Sequence, residues 1–61
     1  MHSLSEKELS ALNDLMADEE LLVKKFKMLS EHSQDQEIQA KFKEISTKHQ
    51  GHLNSLYSLL G

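Results

Sequence analysis

Two histidines three positions apart, His49 and His52, and one distant glutamate, Glu19, are the residues of this 61-residue chain whose types and spacing suit chemistry. A step of three along a helix puts both imidazoles on one face, where they can converge on a point that a carboxylate faces from another element. One carboxylate and two imidazoles with an open position make a reasonable site for a transition metal. The same residues have a second reading. Glu19 and His49 can satisfy each other in a buried, charge-assisted hydrogen bond that fixes register and partner choice without any metal.

Periodicity says which elements must bring them together. At about 100° per residue, Leu9, Leu12, Leu15, Met16, Leu22, Val23, Phe26 and Leu29 form one apolar stripe, with Glu19 at its centre. Ile38, Phe42, Ile45, Leu56 and Leu60 form a second stripe, with His49 near its midline. A titratable group in such a place costs free energy unless it is paired. His52 falls closer to the stripe edge and nearer to solvent, and His2 and His32, at helix ends, are expected to be exposed.

The helix boundaries are written in local signals. Ser5 as N-cap with Glu8 three residues later is a capping box, flanked by Leu4 and Leu9 in the staple positions. The spacing predicts helix 1 over about 5–32, a turn over about 33–35 in the polar run around Ser30 to Gln36, and helix 2 over about 36–60. Either Ser33 with Gln36, or Asp35, can cap helix 2. There is no proline, and Gly51 is the one glycine inside a helix, where it costs about 1 kcal/mol relative to alanine. Tolerance of that glycine is favoured slightly over a close approach by a neighbouring helix.

In an antiparallel hairpin, residues at one level have position numbers of nearly constant sum, here about 68. That register pairs Leu29 with Ile38, Phe26 with Phe42, Val23 with Ile45, Glu19 with His49, Met16 with His52, Leu12 with Leu56 and Leu9 with Leu59. Apolar meets apolar at nearly every level, and the exceptions cluster at one place. The helix 1 stripe spans roughly 160°, wider than a two-helix seam needs and suited to a helix with two neighbours. A lone hairpin covers one flank of each stripe, and without cysteine no disulfide can supplement it. The expected architecture is therefore all-α: one domain over residues 1–61, an antiparallel two-helix hairpin that dimerises about a two-fold axis into a four-helix bundle.

Composition excludes several roles. Ten acidic against seven basic residues, with the lysines interspersed among Glu and Asp, argue against nucleic acid as a partner. No apolar run approaches the roughly 20 residues of a membrane span, and the first residues lack a secretory pattern, so a soluble intracellular protein is expected. Serines 10, 46, 55 and 58 lack a nucleophile-elbow context, there is no phosphate-binding glycine loop, and two helices offer little concave surface; no enzymatic activity and no catalytic residue are expected. Leu21 and Met28, seven apart on the outer face of helix 1, are candidates for a second contact surface, and Tyr57 for a boundary residue.

Several short runs add a resemblance: Leu4 to Leu9 (LSEKEL), Glu19-Glu20-Leu21-Leu22 followed by Lys24-Lys25, Asp35-Gln36-Glu37-Ile38, and Lys48-His49-Gln50-Gly51-His52-Leu53. Together they resemble the small spore coat F-type proteins of endospore-forming bacteria, which are similar to ferritin-like helical hairpins. The resemblance implies a ferritin-like half-bundle completed by dimerisation, a structural role in the spore coat, and other coat proteins as partners; the implied location is the cytoplasm or the coat. The ferritin-like pattern wants a Glu on the first helix, matched by Glu19, and Glu-x-x-His on the second, where His52 matches the histidine and His49 stands in place of the glutamate. That departure removes a bridging carboxylate and leaves a dimer two carboxylates instead of four, which tells against oxidase or iron-storage chemistry. The leading expectation is a non-enzymatic assembly protein without a cofactor. The alternative is a metal-binding protein holding zinc, nickel, copper or iron through Glu19, His49 and His52, with imidazole favouring the first three. A third is a pH-responsive assembly governed by His49 and His52.

Overall fold

The computed structural model describes residues 3–61, which form two helices, α1 (Glu6–His32) and α2 (Gln36–Ser58), packed side by side as an antiparallel hairpin. Among the described residues there is no strand. The start of α1 is the reciprocal cap its sequence calls for. The Ser5 side chain accepts from the Glu8 N–H at 3.1 Å, and the Glu8 carboxylate accepts from the Ser5 N–H at 3.0 Å. The Ser5 backbone N–H, followed by the Ser5 hydroxyl, holds the Glu8 carboxyl below its ordinary range.

Between the two capping alternatives for α2, Asp35 is the one used. Its carboxylate accepts from the N–H groups of Glu37 and Ile38 at 2.8 and 3.1 Å. Ser33 instead closes α1, its N–H returning to the Leu29 carbonyl. The far end of α2 differs slightly from expectation: the α-helix stops at Ser58, because the Leu59 and Leu60 N–H groups reach back only three residues, to Leu56 and Tyr57. Residue His2 lies outside the described residues; His32 is exposed.

The seam is narrower than either sequence stripe. On α1 it follows Leu12, Met16, Glu19, Val23, Phe26 and Ser30, and on α2 Gln39, Phe42, Ser46, His49, Leu53 and Leu56, all buried or half-buried at alternating steps of three and four. This is the spacing of an antiparallel two-stranded coiled coil. Phe26 meets Phe42 with ring centroids 6.0 Å apart. Polar bridges fix the register: near the turn Ser30 Oγ donates to the Gln39 carbonyl at 3.1 Å and Gln39 Nε2 to the Ser33 carbonyl at 2.7 Å, and further along the seam Ser46 Oγ donates to the Val23 carbonyl at 3.0 Å. A small, satisfied serine at this buried position costs little and lets the backbones come close.

Several of these seam residues correct the sequence-level pairing. Leu53, absent from the second stripe, is buried with Leu12 and Met16, and Leu4 and Leu56 pack against that cluster. His52, placed opposite Met16 by the register sum, lies outside the seam and is exposed. Ser46 stands opposite Val23 in place of Ile45, and Ser30 meets Gln39 where Leu29 and Ile38, both exposed, were expected to pair. A Cβ placed on Gly51 would have no neighbour within 4 Å, so within the hairpin no element approaches that glycine.

The hairpin measures 46 × 17 × 10 Å, one helix thick. Such a sheet of two helices has no interior. Among the described residues, only Leu12, Met16 and Leu53 form a buried apolar core, and no side chain is fully buried. Leu15, Leu22 and Leu29 recur every seven residues on α1, and Ile38, Ile45, His52 and Leu59 every seven on α2; seven residues fall within about 20° of whole turns. Both rows sit on the same side of the seam, since Leu15, Leu22, His52 and Leu56 line a single open groove with Asp18, Glu19 and Ser55. Among the described residues no helix is long and apolar enough to cross a membrane.

Candidate polar site at Glu19, His49 and His52

The hairpin register delivers Glu19 from the middle of α1 to a pair of imidazoles one turn apart on α2. Glu19 Oε1 lies 2.5 Å from His49 Nδ1, and Glu19 Oε2 lies 3.1 Å from His52 Nδ1. A carboxylate can only accept at these distances, so each facing Nδ1 carries a proton and donates. Both carboxylate oxygens are thereby engaged.

The three side chains differ in environment. Glu19 and His49 retain 14% and 21% of their side-chain exposure, whereas His52 keeps 64%. His49 is held against Phe26, with ring centroids 5.7 Å apart and planes 15° from parallel, and His52 meets it edge-on at 5.5 Å and 85°. The seam steps position Glu19 and His49 directly opposite each other; His52, three residues on, reaches the same carboxylate from the groove side. One ligand-capable atom from each of the three residues lies within 4.8 Å of the other two. The sequence reading placed these residues together and ordered the exposure of the two histidines; the structure brings all three to one point.

One long-range contact escaped sequence reasoning. Tyr57 is exposed, not a boundary residue, and its hydroxyl donates to Glu20 Oε1 at 3.0 Å. That hydrogen bond, followed by the carboxylate's charge, raises the Tyr57 phenol above its ordinary range. The pair is thirty-seven positions apart and both partners are surface residues, so no hydropathy pattern marks it. Leu21 and Met28 are exposed on the outer face of α1.

No family model matches the chain, and neither the curated proteins nor the solved structures compared with it give a significant match.

Proposed function

We propose that the protein is a non-enzymatic assembly protein that works as a homodimeric four-helix bundle, with the Glu19, His49 and His52 cluster as a polar lock that fixes how its helices meet. The observation that carries this reading is the apolar row beside the seam: Leu15, Leu22 and Leu29 on α1, and Ile38 and Ile45 on α2 with Leu59 just past its end, interrupted by His52 alone and lying beside a core of three residues. A monomeric globular protein of 7.0 kDa exposes about 4,000 Å² by the usual size scaling, yet this hairpin exposes 5031 Å². The excess matches the roughly 800 Å² per partner that a standard stable interface buries.

A second copy is the occupant that suits the row best, because the two-fold operation sets an apolar ladder of seven-residue period against another of the same period. A single polar level in the seam restricts the register of α1 against α2, since a slip between them would bury Glu19 without its imidazoles. The runs that resemble spore coat F-type proteins agree with a coat setting, where a small self-associating bundle serves as a building unit alongside other coat proteins.

Dilution tests the proposal. Folding coupled to association predicts that helicity by circular dichroism falls as the protein is diluted, together with loss of the dimer mass in light scattering. A chain that remains a helical monomer at every concentration contradicts it.

A further inference from the structure

We infer that Glu19, His49 and His52 of one hairpin form a mononuclear binding site for a divalent transition cation of the zinc class, with the fourth coordination position open to the adjoining groove. All three donors come from one chain, so the inference stands whether or not the assembly reading does. The donor set is the first argument. Two imidazoles and one carboxylate suit zinc and its neighbours, and one carboxylate per hairpin neutralises half the charge of one dication, with no second carboxylate in the cluster to bridge a pair of ions.

Geometry is the second argument. Bonds of about 2.0–2.1 Å in a tetrahedral site place ligand atoms about 3.3 Å apart. The Glu19–His49 and Glu19–His52 separations of 2.5 and 3.1 Å, to the two oxygens of one carboxylate, both fall a little short of that spacing, and one donor atom from each of the three residues lies within 4.8 Å of the others. Shifts of less than about 1 Å in the two hydrogen-bonded pairs would admit the ion. The ordering has largely been done by folding: Phe26 holds the His49 ring, and the seam holds Glu19. On binding, the ion takes the place of the protons that join each Nδ1 to the Glu19 carboxylate.

Access is the third. Glu19 and His52 line an open groove of about 510 Å³ together with Leu15, Leu22, Leu56 and Asp18. A water or a small donor ligand can complete the shell from that side, and the Asp18 carboxylate on the groove adds negative charge beside the cation.

Titration of the full chain with Co²⁺, used as a spectroscopic substitute for zinc, tests this. The expected result is an intense visible d–d spectrum of a four- or five-coordinate ion that saturates at one Co²⁺ per chain and is displaced by Zn²⁺. Glu19→Gln, His49→Gln and His52→Gln should each weaken binding by more than the roughly 10- to 100-fold lost with a supporting hydrogen bond, with helicity checked by circular dichroism. His52 is mostly exposed, so His52→Gln leaves the core intact and keeps the test valid if Glu19→Gln or His49→Gln unfolds. His32→Gln should change nothing. Absence of a saturable spectrum, a spectrum that survives His52→Gln, or one lost with His32→Gln overturns the inference. A monomer that gives the one-to-one spectrum retains this site and refutes the assembly; a dimer without the spectrum does the reverse.

Discussion

Replacing Leu15 with alanine should weaken the dimer far more than it disturbs the hairpin. Alanine is the best helix former, so α1 itself loses nothing locally. Burying a leucine completely contributes about 1.5–3 kcal/mol, and Leu15 is 51% exposed in the single hairpin, so covering the remainder is worth about half of that per copy. The two-fold axis counts the loss twice, giving about 1.5–3 kcal/mol per dimer and a dissociation constant raised by roughly tenfold to 150-fold. Sedimentation equilibrium over a concentration series measures that constant directly. Leu21→Ala is the matched comparison, because Leu21 is similarly exposed but points away from the apolar row. An unchanged constant for Leu15→Ala, or an equal loss for Leu21→Ala, would refute the assignment of the interface to the Leu15 face.

Three further outcomes follow from the same structure. The double variant Glu19→Leu, His49→Leu should match or exceed the parent in thermal stability, by at most the few kcal/mol that hydrophobic replacement of a buried pair can give, whereas Glu19→Leu alone strands His49 and should destabilise; a collapse of the double variant rules out the polar lock as dispensable to folding. Asp35→Ala removes the cap that accepts from two backbone N–H groups and should cost about 0.5–2 kcal/mol, read from chemical denaturation; a cost near zero would mean that Ser33 takes over the cap. Tyr57 is the chain's one tyrosine, so absorbance against pH follows it alone: its phenol should ionise above the ordinary tyrosine range because the hydrogen bond to Glu20, and then the carboxylate's charge, hold the proton on, and Glu20→Gln should bring it back down. Identical curves would mean the contact does not persist in solution.

What was legible in the sequence was mostly local or strongly periodic. The Ser5 and Glu8 cap lies within four residues and needs no tertiary context, and the opposition of Phe26 to Phe42 and of Glu19 to His49 follows from one constant sum. The seam itself was harder to read, because apolar residues occupy two adjacent rows and hydropathy cannot say which row faces the partner helix. Ile38, Ile45 and Leu60 looked like seam residues by type, while the seam position at 46 belongs to a serine whose smallness and hydrogen bond to the Val23 carbonyl suit close contact. Leu53 was passed over for the same reason, and His52 was set opposite Met16, where Leu53 now sits. The two corrections amount to a small rotation of α2, which periodicity alone does not resolve. The width of the apolar surface, by contrast, was plain in the sequence, and the structure accounts for it as two rows, one inside the hairpin and one beside it.

Subunit count is the quantity on which the account turns, and native mass spectrometry of protein purified without chelator measures it most directly. A two-fold bundle should appear as a species of twice the 7.0 kDa chain mass, reduced to the single chain by substitutions in the Leu15, Leu22 and Leu29 row. A folded species at the single-chain mass across the accessible concentration range would contradict it.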